Sequence, residues 1–138
     1  MSFPSTAALA QRHARIRESL ETLNLEALIV TPSANIRYLS NHAGTAGILV
    51  MTRDAAHLLI DFRYHESVRA LQASPSACPA LRMWDVPASY EEALIGCVSE
   101  IGVTTVGFEA AHVTVARHEW WRETIAARRT LVTAAGGA

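Results

Sequence analysis

The sequence is poor in the residues from which a disulfide framework or a metal cluster is built. It has two cysteines, Cys78 and Cys97, which form no C-x-x-C pair and have no histidine at metal-ligand spacing. We therefore predict that both are reduced thiols in the core of the protein. We expect neither a disulfide nor a structural metal site.

Long hydrophobic runs are missing as well. No apolar run approaches the roughly 20 residues that a transmembrane helix needs. Residues 1–20 mix arginine and glutamate among their apolar positions, so they lack the uninterrupted apolar segment of a secretory signal peptide. We expect a cytoplasmic protein with no membrane partner.

The chain also lacks an excess of basic residues. Twelve Lys and Arg residues stand against 13 Asp and Glu residues, which gives a formal net charge of -1. A protein that holds a nucleic acid needs clustered positive charge, so we expect no nucleic-acid partner. Apolar residues make up 50% of the 138-residue chain and charged residues 18%. This composition is typical of a folded domain, and we assign residues 1–138 to a single one.

Hydrophobic periodicity of 3.6 residues predicts four helices, over residues 6–23, 62–74, 90–101 and 113–129. One face of the first carries four apolar side chains, which are Leu9, Ile16, Leu20 and Leu23. Ser89 and Glu92 have the spacing of a capping box, and Gly102 is placed to end the helix that follows. A further single helical turn is expected near residue 35, capped by Ser33 or Asn35.

Short apolar runs predict six strands, over residues 27–31, 47–52, 57–61, 80–86, 104–109 and 130–134. The second and third strands are joined by the tight polar link "RDAA" and should form an antiparallel hairpin. Both are apolar throughout, which places the hairpin centrally, covered on its two faces. We therefore predict an α/β fold, a mixed sheet of about six strands with helices on both faces.

Three carboxylates, Asp61, Asp85 and Glu109, end predicted strands. At the carboxyl end of a parallel array such a set could bind a divalent metal. A strand-end acid is also the residue that caps the next helix, and the hairpin reverses one strand, so the three ends need not meet. We regard capping as the better interpretation.

The histidines suggest no reactive group. His42 lies in a loop and could act as a general base only with an orienting partner and a nucleophile nearby. His65 follows Asp61 by four residues, which on a helix would place both on one face, as a cap and a surface histidine. Neither a G-x-S-x-G motif nor a phosphate-binding glycine loop is present. We predict no catalytic residue in this chain.

Asp61, Arg63 and Tyr64 form a compact polar group in "DFRY". A guanidinium beside a carboxylate commonly locks a loop through two parallel hydrogen bonds, and a tyrosine ring can pack beneath it with its hydroxyl paired. We predict that this group has a structural role, so that substitution of Asp61 or Arg63 should lower stability rather than abolish an activity.

With these residues identified, the chain resembles the N-terminal domain of the creatinase/prolidase/Xaa-Pro aminopeptidase family. The resemblance rests on four segments in order, "NIRYLS" (35–40), "GTAGILVMT" (44–52), "DFRY" (61–64) and "VGFEA" (106–110). It covers nearly the whole chain and identifies Asn35, Tyr38, Asp61, Arg63 and Tyr64 as its structural motif residues. One departure is visible, because the family usually has a Gly-aromatic pair at positions 41 and 42, where this chain has asparagine and histidine.

The resemblance implies a ribonuclease-H-like mixed sheet that is not the catalytic half of its parent protein. In the family, a C-terminal catalytic domain holds two divalent metal ions (Mn, Co or Zn) and cleaves peptides next to proline. That domain, with its metal ligands, is absent from this chain, whose closing "AAGGA" (134–138) is similar to the region leading into the linker. The implied partners are its own C-terminal catalytic domain and a neighbouring subunit of a homo-oligomer, whose active-site entrance the domain narrows.

Two alternatives remain open from the sequence. One is a free-standing, ribonuclease-H-like metal-dependent nuclease that uses Asp61, Asp85 and Glu109, which the near-neutral charge disfavours. The other is a stand-alone module that binds a small molecule or a protein.

The predicted helix over 114–128 generates a prediction about self-association. Trp120 projects from its solvent side, among small neighbours that leave a low apolar surface, and aromatic residues are enriched at protein contacts. We expect wild-type protein to self-associate between micromolar and millimolar concentration and Trp120→Ser to do so less, as measured by light scattering. Equal association of the two proteins would mean that Trp120 is exposed without a contact.

Overall fold

The computed structural model describes residues 3–109 and 130–134, with the side chains of residues 109 and 130–134 left out. In this part of the chain the helices are α1 (Thr6–Thr22), α2 (Ser33–Ser40), α3 (Phe62–Gln72) and α4 (Tyr90–Ile101). The strands are β1 (Ala27–Val30), β2 (Ile48–Thr52), β3 (Ala56–Ile60), β4 (Leu81–Asp85), β5 (Thr105–Glu109) and β6 (Thr130–Ala134). The helix expected over 113–129, with Trp120, lies outside the described residues.

The six strands form one mixed sheet in the order β4-β3-β2-β1-β5-β6. β2 is antiparallel to both β1 and β3. β4 is parallel to β3, β5 to β1, and β6 to β5. All strands except β2 therefore run in one direction, and the predicted mixed sheet with a central hairpin is confirmed.

Each face of the sheet is covered by helices and has its own apolar core. On one face, α1, α2 and α3 pack against β-strand residues through a cluster that includes Leu9, Ile36, Val68, Leu28, Leu49 and Leu58. On the other, α4 contributes Leu94, Cys97 and Val98 to a cluster with Ile29, Val50 and Phe108. Strands buried on both faces read as continuous apolar runs, which is why β1, β2 and β3 could be recognised from the sequence.

Helix α4 begins and ends as its sequence predicts. The Ser89 side chain accepts a hydrogen bond from the Glu92 backbone N–H at 3.1 Å. Gly102 closes the helix in the left-handed conformation, with φ of 74°, where a residue with a Cβ is disfavoured.

Two local predictions were wrong. Helix α2 has two turns rather than one, and its N-cap is Pro32, which offers no side-chain acceptor; Ser33 and Asn35 lie inside the helix. Leu23 is 54% exposed, because α1 ends at Thr22 and the chain turns away at Asn24, which has φ of 56°.

His13 lies on the buried face of α1, at a position where the sequence has no apolar residue. This side chain is fully buried, and its Nε2 donates to the Leu39 carbonyl oxygen of α2 at 2.6 Å. Burial lowers the pKa of His13, against the opposing effect of that hydrogen bond, so the ring is held neutral. Its Nδ1 has no hydrogen-bond partner among the residues that the structure describes. The histidine therefore links α1 to α2 as a buried, uncharged ring.

Both cysteines are free and buried, as predicted. Burial raises the pKa of each thiol to about 12, which leaves little of the reactive thiolate at neutral pH. Among the described residues, no helix is both long enough and apolar enough to cross a membrane.

The buried His13 predicts a loss of stability in mild acid. Because its pKa is lower in the folded than in the unfolded chain, the unfolded chain binds more protons once the pH falls below about 6.5. Stability should then fall by at most about 1.4 kcal/mol per pH unit for this one group. His13→Gln keeps an N–H donor for Leu39 but does not titrate, so its decline should be shallower. Urea unfolding from pH 7.5 to pH 5 measures both slopes, and equal slopes would assign the decline to other groups.

Candidate functional site

Asp61 is the residue around which the polar segment at 61–64 is organised. It directly follows β3 with extended backbone, φ of -80° and ψ of 172°, and is the N-cap of α3. Its Oδ1 accepts the backbone N–H of Arg63 at 3.2 Å. The predicted capping role of Asp61 is confirmed.

The side chain of Arg63, in the first turn of α3, binds the same carboxylate. Its Nε lies 2.7 Å from Asp61 Oδ1 and its Nη2 lies 3.0 Å from Asp61 Oδ2, a two-pronged pair. The hydrogen bonds from Arg63 hold the pKa of Asp61 well below its usual range, and the pKa of Arg63 is raised in return. The Arg63 side chain is 57% exposed and that of Asp61 15%, so the pair lies at the surface, where screening by water weakens it.

Tyr90 completes the group from a different part of the chain. Its hydroxyl donates to Asp61 Oδ2 at 2.5 Å and accepts from the Asp61 backbone N–H at 3.2 Å. Burial, and then the bond to Asp61, raise the pKa of Tyr90 to about 12. The contact ties the start of α4 to the junction of β3 and α3. We call Asp61, Arg63, Tyr64 and Tyr90 the Asp61 cluster.

Sequence reasoning missed the role of Tyr90. The Tyr90 ring is partly buried against the apolar core beneath α4, as an apolar residue at the start of this helix would be. Its hydroxyl reaches a residue 29 positions earlier, and no local pattern signals a contact between such distant positions. Parallel pairing of β3 with β4, which sets the start of α4 near the end of β3, brings them together.

Tyr64 joins the cluster to the loop between α2 and β2. The Arg63 guanidinium carbon lies 5.0 Å from the centre of its ring, and the His42 ring meets it edge-on with centroids 5.0 Å apart. Its hydroxyl and the Thr45 hydroxyl are 3.3 Å apart. A Cβ on Gly44 would come within 2.6 Å of His42 and 2.7 Å of Tyr64, so the loop requires glycine at this position.

The two residues that depart from the family pattern are both buried and hydrogen-bonded. Asn41 ends α2 with φ of 66°, the left-handed conformation that asparagine tolerates. Its Nδ2 donates to the carbonyl oxygens of Pro4 and Ser76, each at 3.0 Å. His42 is 4% exposed, and its Nε2 contacts the Ala46 carbonyl oxygen at 3.1 Å. With these partners His42 holds the loop in place.

Asn35 and Tyr38 lie on α2. Asn35 is half-buried in the first turn, where its N–H donates to the Pro32 carbonyl oxygen at 3.0 Å. Tyr38 is 48% exposed. The guanidinium of Arg12 lies 4.0 Å above its ring and donates to its carbonyl oxygen at 2.7 Å. Tyr38 therefore links α2 to α1. Among the described residues it makes no hydrogen bond or ring contact with the Asp61 cluster.

The three strand-end carboxylates do not converge. Asp61, Asp85 and Glu109 end parallel strands at one edge of the sheet, but β2 and β1 separate β3 from β5. At about 4.8 Å per strand, the backbone at Glu109 stands roughly 14 Å from the backbone at Asp61. Asp85 is paired with His65, whose Nε2 lies 3.1 Å from its Oδ1, and it caps no helix because Ser89 caps α4. The described residues hold no group of three or more His, Cys, Asp or Glu that could bind a metal.

The family description "Creatinase/Prolidase N-terminal domain" matches residues 12–136 of the chain. The chain belongs to this family. The match begins within α1 and includes every later described element to β6, and it contains the motif segments at 35–40, 44–52 and 61–64. The family assignment made from the sequence is confirmed.

Solved structures support the same fold. The chain is similar to an Xaa-Pro dipeptidase from Bacillus anthracis, with a TM-score of 0.80 and 20% identity over 93% of this chain and 34% of that one. It is also similar to an Xaa-Pro aminopeptidase from Streptococcus pyogenes, with a TM-score of 0.79 and 22% identity over 94% of each chain. The N-terminal domain of the cytoplasmic peptidase PepQ from Mycobacterium tuberculosis H37Rv has a TM-score of 0.75 and 28% identity, over 91% of this chain and 94% of that one.

A curated relative is the uncharacterized peptidase YqhT of Bacillus subtilis (strain 168). It is 24% identical over 100 residues, which are 72% of this chain and 27% of the relative. The chain thus spans about a quarter of the length of this relative, and about a third of the Bacillus anthracis dipeptidase.

The Asp61 cluster predicts a specific effect of removing one hydroxyl. Tyr90→Phe deletes the bonds to the Asp61 carboxylate and backbone N–H, so the free energy of unfolding should fall by about 1 kcal/mol. The pKa of Asp61 should also rise, which shifts acid unfolding to higher pH, because a carboxylate with a depressed pKa stabilises the fold until the pH falls through that pKa. Chemical denaturation and acid titration followed by circular dichroism measure both effects.

The matched control is Tyr38→Phe, whose hydroxyl is exposed and has no recorded hydrogen bond in the described region. It should unfold as the wild type does. A Tyr90→Phe protein that behaves like this control in both experiments would show that the cluster does not stabilise the domain.

Proposed function

We propose that this domain is the noncatalytic N-terminal domain of an Xaa-Pro aminopeptidase- or prolidase-like metallopeptidase. The observation that carries the proposal is the match of residues 12–136 to the creatinase/prolidase N-terminal family. The chemistry of the described residues agrees with it. Asp61 is bonded through both oxygens to Arg63 and Tyr90, His42 is buried against a backbone carbonyl, and both thiols are buried.

In this proposal the catalytic chemistry belongs to a C-terminal domain of the parent polypeptide. Full-length relatives are about three to four times as long as the matched region, since it covers 34% and 27% of two of them. That further domain would hold two divalent metal ions, Mn, Co or Zn, and would cleave peptides next to proline. No metal ligand is assigned to the present chain.

The role we propose for the domain itself is oligomer assembly and substrate gating. It would contact its own C-terminal catalytic domain and a neighbouring subunit of a homo-oligomer, and would narrow the entrance to that subunit's active site. Phe62 supports a contact at the carboxyl edge of the sheet. Its side chain is 80% exposed, although it lies between Asp61 and Arg63, whose side chains are hydrogen-bonded to each other. We also propose a cytoplasmic location, in line with the description of PepQ as a cytoplasmic peptidase.

The proposal predicts that the purified 138-residue chain does not hydrolyse Xaa-Pro peptides. Two-metal hydrolysis requires several convergent carboxylates and usually a histidine, and no such group occurs among the described residues. Turnover of an Xaa-Pro dipeptide and a longer Xaa-Pro peptide should stay at background with Mn²⁺, Co²⁺ or Zn²⁺. The Bacillus anthracis dipeptidase serves as positive control. Metal-dependent turnover that co-purifies with the chain through two chromatographic steps would contradict a noncatalytic role.

A further inference from the structure

A cleft lies at the opposite end of the strands from the Asp61 cluster. Its volume is about 460 Å³, and it opens between the β2–β3 turn, the start of β3 and β4, and the end of α4. None of its lining residues belongs to the motif segments that identify the family, apart from Thr52 at the end of β2. The site is therefore independent of the proposed role of the domain.

His57 places one hydrogen-bond donor at this cleft. Its side chain is only 5% exposed, and its Nδ1 lies 2.9 Å from the indole Nε1 of Trp84. An indole nitrogen can only donate, so Nδ1 accepts and the proton of the neutral ring is on Nε2. The enclosed, unpartnered polar side-chain atoms in the described region are His13 Nδ1 and Arg17 Nη2. His57 Nε2 is not one of these enclosed atoms, and it has no hydrogen-bond partner in the described region. Its N–H is therefore open to the cleft.

Two arginines accompany this donor. Arg82 is the direct partner of His57 in the parallel pairing of β3 with β4, which places the two side chains on one face about 4.8 Å apart along the sheet. Arg82 is exposed and makes no hydrogen bond or salt bridge within the described residues. Arg53 uses its Nε to donate to the Leu25 carbonyl oxygen at 3.2 Å. This side of the cleft offers hydrogen-bond donors and positive charge to an anion.

The other side of the cleft attracts a cation. Asp54 accepts the Thr52 hydroxyl through Oδ1 at 2.9 Å, and its second oxygen has no hydrogen-bond partner among the described residues. Glu26 is ionised, because its bonds to the Thr104 side chain and backbone lower its pKa. Helix α4 ends at Ile101, which lines the cleft, and the carbonyl end of a helix carries partial negative charge.

We propose that this cleft binds a small zwitterion, an α-amino acid, with its carboxylate on His57 Nε2 and Arg82 and its ammonium group towards Asp54. Two carboxylates line the cleft with the two arginines, so a dianion such as phosphate gains no net attraction while a zwitterion can pair both of its charges. Ile101 and Val103 offer an apolar wall for the amino-acid side chain. The aliphatic probe L-leucine fits this chemistry.

NMR titration of the 138-residue chain with L-leucine tests the proposal. The indole N–H signal of Trp84 reports on the site because that group is bonded to His57, and Trp84→Phe identifies the signal among the three tryptophans. We expect saturable shifts of the Trp84 indole and of the His57 and Arg82 amides at millimolar leucine. N-acetyl-leucine, which lacks the ammonium group, leucine amide, which lacks the carboxylate, and inorganic phosphate should each bind more weakly.

Arg82→Gln is the test variant and Arg15→Gln, exposed on α1, is its matched control. Loss of one charge-assisted hydrogen bond should weaken leucine binding at least about tenfold in Arg82→Gln and leave it unchanged in Arg15→Gln. Equal affinity in the two variants would overturn the proposal, and so would the absence of saturable shifts. Binding of N-acetyl-leucine or phosphate as tight as that of leucine would overturn it too, since the cleft would then be a simple anion site.

Discussion

Burial of the central strands on both faces is the constraint on which the rest of this structure depends. β1, β2 and β3 are buried at every position, and their only polar side chains are Thr52 and His57, near the strand ends. Their backbone polar groups are paired with neighbouring strands. Helices must then cover both faces of the sheet. Polar side chains can gather only where the strands end, which is why the two sites of interest lie at opposite edges.

At the carboxyl ends of the strands, Asp61 and Asp85 are both paired with other side chains of the protein. Both oxygens of Asp61 are occupied by Arg63 and Tyr90, and Asp85 is paired with His65. An acid whose lone pairs are used in this way fixes the angle between β3, α3 and α4, and it has none left for a metal or a proton transfer. Phe62 projects from this hydrogen-bonded turn with its side chain 80% exposed.

At the amino ends of the strands, by contrast, some polar groups lack hydrogen-bond partners among the described residues. Trp84 orients the His57 ring and leaves its second nitrogen open, while Arg82 stands beside it without a partner in the described region. The nearby carboxylates of Glu26 and Asp54 balance the formal charge. A site of this kind selects a ligand by the arrangement of its charges, since the total charge of the site attracts neither sign strongly.

The sequence by itself determined the α/β class, the hairpin, the helix caps at Asp61 and Ser89, and the family, because each follows from local signals. Apolar runs identify strands that are buried on both faces, and short-range spacing identifies a cap or the Asp61–Arg63 pair. Two features departed from these local signals. His13 is buried because it bonds to a residue of another helix, and α2 has a second turn because it begins after Pro32. Only the tertiary structure decided that Tyr90 meets Asp61, that Glu109 stands apart from it, and that His57 and Arg82 share one cleft. Each of these depends on strand order and parallel register, which are set by packing between residues far apart in the chain.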